Sequence, residues 1–339
     1  MLHSGLLPPG AVTTASRPEE SWIWGCMNVG ENEVTGLIFD TQQFAVHDGP
    51  GCRTMVFMKG CPLACPWCAN PEGRSAKQEV MYSVRSCDST LACVEACPYK
   101  AISIESNGYI RINRNFCPQC IEHSCVDVCP KDALRLVGRN VSVTEMMRLI
   151  SRDRAFWGRG GGLTITGGEP LAQPRFVTSV LELSYEAGIN TAIETCAYAP
   201  WATLQKALRY LDWVLIDIKH MNSAKHKMAT GVDNRLILDN VKRTVGSGSA
   251  RVLIRIPVVP GFNDSTANMS EAADFLRKIG QDEVNLLPFH RLAISKYEQL
   301  GLEYPYKDTQ PPSYARLEAI RELFASRGVK CYLGDDTPF

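Results

Sequence analysis

The apolar positions change period along the chain, and each change marks a unit of organisation. Residues 1–34 mix Gly, Pro, Ser and Glu with scattered apolar residues and keep no period, which predicts an extension holding Trp22, Trp24 and Cys26. Residues 54–59 (TMVFMK) form an apolar, β-preferring run that ends at Gly60 and predicts a first strand. After about residue 144 strands and helices alternate. Helical spacing marks 144–154, 175–187, 201–210, 235–245, 269–279 and 313–327, and apolar runs of strand length mark 163–166, 190–194, 213–218, 252–258 and 283–288. Strands alternating with helices predict parallel βα units, hence an open or closed α/β barrel whose functional residues follow the strand C-termini. Cys61, the GGEP segment, Glu194, Asp217 and His290 all fall at such positions.

Between about Val80 and Val143 the texture changes to short segments punctuated by Cys and Pro. CVEACPYKAISI (93–104) and CVDVCPKDALRL (125–136) match at Cys, Val, acidic, Cys, Pro and Ala, so the segment contains an internal repeat. The expected division is an extension over 1–35, a barrel built from 36–80 and 141–339, and an insert over 81–140.

Composition narrows the class. The chain has 339 residues, 45% of them hydrophobic, enough for a substantial core. Lys plus Arg and Asp plus Glu number 36 each, so no bulk field favours nucleic acid or an anionic membrane as partner. With no apolar run long enough to span a bilayer and no secretory leader pattern, the expected setting is the cytoplasm. Fourteen cysteines are many for such a chain, and most fall between Cys52 and Cys129. Disulfides staple small domains that lack a core, so metal ligation, and iron-sulfur clusters in particular, is the better reading.

The segment KGCPLACPWCANPEG places Cys61, Cys65 and Cys68 in one short loop. Three thiolates on a four-iron cluster leave one iron open, whereas an electron-transfer cluster has four, and a structural zinc site would want a fourth Cys or His nearby. Cys-x3-Cys-x2-Cys with an aromatic before the last Cys resembles the signature of the radical S-adenosylmethionine (SAM) superfamily. That resemblance implies a SAM chelated by the open iron, reductive cleavage of its sulfonium, and a 5′-deoxyadenosyl radical that abstracts hydrogen inside a sheltered partial (β/α)6 barrel.

Further segments resemble one branch, the glycyl-radical enzyme activating enzymes: VHDGPGCRT (46–54), TGGEP (166–170), DIKH (217–220), PVVPGFND (257–264) and LPFHR (287–291). The branch implies SAM contacts from Trp67, Cys68, Ala69, Gly167, Gly168, Glu169, Asp217, Lys219, Arg255 and His290. It also implies a monovalent cation near Glu194, Thr195 and Asp217, and contact with the partner's glycine loop through Asp48 and Arg53. The client is then a large glycyl-radical enzyme that loses a glycine α-hydrogen, and the electron comes from a flavodoxin or ferredoxin-type reductant.

The insert resembles a two-cluster bacterial ferredoxin, an α+β unit in which the fourth Cys of each run ligates the other cluster. That implies two auxiliary 4Fe-4S clusters beside the catalytic one. Cluster two takes Cys117, Cys120, Cys125 and Cys97; cluster one takes Cys87, Cys93 and Cys129, with Thr90 at the position of its missing Cys. Thr90, Asp88, water, Cys52 and Cys26 remain open as fourth donor, as does a three-iron cluster. Two other functions share some of these features: a radical SAM enzyme acting on a small molecule or another peptide, and an iron-sulfur electron-transfer protein on an inert barrel. The DGPG and PVVPGFND segments argue against the first, and GGEP, DIK and LPFH against the second.

Overall fold

The computed structural model describes residues 33–339. Trp22, Trp24, Cys26 and nearly all of the predicted extension lie outside them. Thirteen strands follow in chain order: β1 Thr35–Ala45, β2 Arg53–Met58, β3 Glu79–Tyr82, β4 Ile102–Ile104, β5 Ile110–Ile112, β6 Leu134–Val137, β7 Arg139–Ser142, β8 Gly162–Gly167, β9 Asn190–Thr195, β10 Trp213–Asp217, β11 Arg251–Val258, β12 Glu283–Pro288 and β13 Lys330–Leu333. The helices are α1 Ala92–Ala96, α2 Ser124–Asp127, α3 Val143–Arg152, α4 Pro174–Glu186, α5 Trp201–Leu208, α6 Ser223–Thr230, α7 Arg235–Ser247, α8 Thr266–Ile279, α9 Ile294–Leu300 and α10 Tyr314–Ser326.

Nine strands form one open sheet in the order β13-β12-β11-β10-β9-β8-β2-β1-β7. From β2 to β13 every pairing is parallel, and β1 and β7 close that edge antiparallel. This is a partial (β/α) barrel, with β13 as a seventh parallel strand beyond the six expected. The first strand is β1, not the run at 54–59. Its burial alternates only at its start and is exposed over its second half, and its register against β2 shifts twice, so it carries little period for a sequence to display.

Alternation decides which side chains meet which layer. Leu163 and Ile165 of β8, Val214 and Ile216 of β10, and Ile254 and Ile256 of β11 join the helices in one core. Their neighbours face the barrel interior. There Ala192, Trp213, Leu215 and Leu253 pack with Phe339 as an apolar floor, while Thr166, Glu194, Asp217 and Arg255 lie among the residues lining the cavity above.

The stretch between β2 and β8 leaves this sheet. β3 pairs with β6, and β4 with β5, around Val80, Tyr82, Cys93, Cys97, Ile102, Ile110, Cys125 and Leu134. The repeat is visible in the backbone. Leu91 and His123 stand at equivalent positions of the two copies, as do Lys100 and Asp132, and all four adopt positive φ, between 49° and 60°. Equivalent turn bonds recur at the same offset, Val94 N to Leu91 O matching Val126 N to His123 O.

Candidate functional site

Loops at the C-terminal ends of the parallel strands converge on a cavity of about 430 Å³. Cys61, Cys65 and Cys68, after β2, line one wall, with Trp67 and Ala69 between and beside them. The loop is held by its backbone: Cys61 N donates to Arg74 O (3.0 Å), Ala64 N to Thr230 O (2.8 Å) and Cys68 N to Cys65 O (3.2 Å). Trp67 packs on Phe262 at 4.4 Å and on Tyr306 at 5.9 Å, which fixes its side of the turn.

The GGEP segment docks directly on this loop. Gly168 N donates to Met58 O (2.7 Å) and Glu169 N to Gly60 O (2.8 Å). A Cβ on Gly168 would stand 2.3 Å from Gly73 O and 2.5 Å from Gly60 O, closer than atoms pack, so only glycine lets the two backbones meet. Gly167 and Gly168 line the cavity. Glu169 is 1% exposed and faces the other way: its carboxylate accepts from Leu171 N (2.9 Å), Thr195 Oγ1 (2.7 Å) and Cys196 N (2.8 Å). It braces β9 against the GGEP turn and is not among the cavity-lining residues. Burial raises its pKa, and those hydrogen bonds pull against the rise.

Across the cavity, charges are paired. Lys219 Nζ lies 2.8 Å from Asp217 Oδ2. Burial opposes the charged lysine, yet Asp217 and the neighbouring thiols together hold its pKa above the ordinary value. The Arg255 guanidinium bridges Glu194 and Asp48 and donates to His47 O, so the β1–β2 turn reaches into the barrel. Arg255 Nε is buried with no partner. Burial pushes Glu194 up to about 7, against the pull of Arg255 and with repulsion from Asp48 adding to the rise. Both carboxylates expected near a monovalent cation, Glu194 and Asp217, therefore already hold a side-chain cation; Thr195 beside them gives its hydroxyl to Glu169. His290 sits exposed at the cavity mouth.

Arg53 does not reach a partner. It is fully buried, and all five N–H groups are engaged, by Thr164 Oγ1, Pro50 O, Asn190 Oδ1, Leu163 O and Asn190 O. It fixes the DGPG turn from beneath, while Asp48 remains partly exposed above it.

Asn70, Arg74, Thr166, Cys196, Gly334 and Asp335 also line the cavity and were not foreseen from sequence. Thr166 opens the TGGEP segment but was given no role of its own. Cys196 carries no motif; its thiol lies against Cys61, whose pKa that contact lowers. Gly334 and Asp335 follow β13, a four-residue strand without a legible period.

In the segment between β2 and β8 the thiols sort into two further cavities. One is lined by Cys97, Cys117, Cys120 and Cys125. The other is lined by Cys87, Cys93 and Cys129 together with Tyr82, Asp88 and Thr90. Cys52 is not among its lining residues; its carbonyl accepts from Gly162 N at the start of β8. Among the described residues no three of His, Cys, Asp and Glu are close enough to hold a single metal ion. Thiols are the donors that iron-sulfur clusters take, so the donor chemistry of the two cavities is compatible with such a group.

A profile of the Radical SAM superfamily matches residues 55–276. The 4-hydroxyphenylacetate decarboxylase activating enzyme of Clostridium scatologenes is 41% identical over 308 residues, 90% of this chain and 99% of that protein. The indoleacetate decarboxylase activating enzyme of Tractidigestivibacter scatoligenes is 36% identical, covering 89% and 98%. The isethionate sulfite-lyase activating enzyme of Nitratidesulfovibrio vulgaris is 42% identical, covering 86% and 97%.

Proposed function

Because the chain belongs to the radical SAM superfamily, we propose that its cavity is the site where a glycyl-radical enzyme is activated. The chain is an oxidoreductase of the activating-enzyme class and acts by SAM-dependent radical chemistry. The observation that carries the site assignment is the convergence of Cys61, Cys65 and Cys68 with the strand ends bearing Gly168, Lys219, Arg255 and His290 on one cavity.

Cys61, Cys65 and Cys68 would hold a four-iron cluster, which together with SAM would supply one-electron reductive chemistry and hydrogen-abstracting power. The residues around it divide the remaining work. The glycine backbone at 167 and 168 leaves room for the methionyl group, and Lys219, held charged by Asp217, neutralises its carboxylate. Arg255 lines the cavity wall, and His290 closes the mouth. The apolar floor beneath keeps water from the radical. Asp48, partly exposed on the turn that enters the barrel, is the contact for the incoming glycine loop.

The segment 81–140 acts as a two-cluster ferredoxin-like insert in a barrel of 36–80 and 141–339, with one cluster in each thiol-lined cavity. Its backbone repeat supports this reading. Helix α9 links the insert to the catalytic loop. Arg114 Nη2 donates to Gln299 O (2.8 Å), while Tyr297 Oη contacts Pro66 O (3.4 Å) and Lys296 pairs with Glu72 (2.6 Å). An electron from a flavodoxin or ferredoxin-type reductant would enter through the insert and pass along this side.

Relatives of nearly equal identity are named for a decarboxylase and for a sulfite-lyase. An activator meets only the client's glycine loop and never its small substrate, so barrel similarity does not encode the client's reaction. Anaerobically reconstituted protein, a strong reductant and SAM should give 5′-deoxyadenosine, and adding the cognate client should give the doublet of a glycyl radical in electron paramagnetic resonance (EPR). No 5′-deoxyadenosine from protein with intact clusters would sink the reading.

A further inference from the structure

The cavity of cluster one is the least ordinary of the three thiol sites. It has three cysteines, Cys87, Cys93 and Cys129, and its remaining wall carries oxygen donors: Asp88 and Thr90, both exposed, and Tyr82, 8% exposed. The Tyr82 hydroxyl is buried beside the Cys87 thiol, so the wall carries a hydrogen-bond donor next to one of the three thiols. The four-cysteine cavity opposite needs no such supplement.

Resting on the ferredoxin-like reading of the insert, we propose that cluster one is a mixed-ligand cluster. Cys87, Cys93 and Cys129 hold three irons, the Asp88 carboxylate holds the fourth, and Tyr82 donates to the cluster sulfur beside Cys87. Thr90 stands at the aligned position, but an alcohol ligates only after losing a strongly held proton, whereas a carboxylate is an anionic oxygen ligand. Asp88 follows Cys87 directly and accepts from Thr90 N at 3.3 Å, which turns the carboxylate along the same short loop. The fourth corner opens to solvent, since Asp88, Ser89 and Thr90 are all exposed. The two insert clusters are then chemically unequal, one all-thiolate and one with a harder, exchangeable corner.

The test uses full-length protein carrying Cys61→Ala, Cys65→Ala and Cys68→Ala, so that only the insert binds iron and activity plays no part. Reconstituted anaerobically, this parent should hold about eight irons per chain. Its Mössbauer spectrum should set one iron of one cluster apart from the thiolate sites. Adding Asp88→Asn should lower the content to about seven and bring up the EPR signal of a three-iron cluster. Adding Thr90→Cys to that variant should restore the eighth iron and remove the signal. Because Asp88 is exposed, cluster two should persist in every variant and reports that the insert is folded. Asp88→Asn with unchanged iron and spectrum overturns the inference, as does a parent with a three-iron signal or with only about four irons. A parent with no iron at all overturns the ferredoxin-like reading itself.

Discussion

Removing the Arg53 side chain would strip donors from five acceptors in the barrel wall, two of them on Asn190 at the start of β9. Arg53→Ala should cost about 3–5 kcal/mol, read as a lowered denaturation midpoint, because the acceptors stay buried without partners. Asp48→Asn keeps an oxygen toward Arg255 but removes its charge, so it should lower that midpoint less than Arg53→Ala does and should slow client activation. Gly168→Ala drives a methyl into two carbonyl oxygens, so it should destabilise the protein by about 2–4 kcal/mol and lower its iron content. Glu194 makes a pH prediction. Its folded pKa of about 7 lies above the ordinary glutamate value, so the folded state binds the proton more tightly. That contribution to stability is full below the unfolded pKa and is lost as pH rises through the folded one. Thermal scans between about pH 5 and pH 8 should therefore show Glu194→Gln losing less stability with rising pH than the parent. Parallel curves would mean that Glu194 titrates normally.

At the scale of elements, α9 is short, yet it touches both β3 and the turn at Pro71–Gly73 behind the cysteine loop. Arg114 ties it to the insert by donating to Val80 O and Gln299 O, and Arg135 adds a bond to Gln299 Oε1 (3.3 Å). Arg114→Ala leaves two partly buried carbonyls short of a donor, a loss of about 1–3 kcal/mol. Hydrogen exchange should then rise in α9 and β3 together. A rise confined to β3 would show that α9 takes its order from the barrel alone. The elements absent from the sequence reading share a cause. β7 and β13 have four residues each, and α6 buries only His226 and Thr230, so none shows a full period. The predicted helix 235–245 agrees with α7, which buries Ile237, Asn240, Val241 and Thr244 at helical spacing, and the predicted strand 283–288 agrees with β12, a short run buried through Val284, Asn285 and Leu286.

At the scale of the molecule, the proposed assignment of one cluster to the thiol-lined barrel cavity and one to each thiol-lined cavity of the insert predicts separable iron. Replacing Cys61, Cys65 and Cys68 with alanine should abolish 5′-deoxyadenosine while about two-thirds of the iron remains. Equal loss from all three sites would show that the insert cannot fill its cavities without the barrel's cluster.

The sequence alone determined the alternation of strand and helix, the three-thiol loop, the internal repeat of the insert and the superfamily, because each is a matter of local period or spacing. The repeat also led the sequence to group the insert thiols into a set of four and a set of three; the structure lines one cavity with Cys97, Cys117, Cys120 and Cys125 and another with Cys87, Cys93 and Cys129. What only the tertiary structure decided is where buried charge points. Glu169 turns to Thr195 and Cys196, Arg53 spends its donors inside the wall, and Arg255 joins Glu194 to Asp48 across 207 residues of chain. Such choices depend on which unpartnered groups burial brings together, and a burial partner distant in sequence leaves no periodic trace.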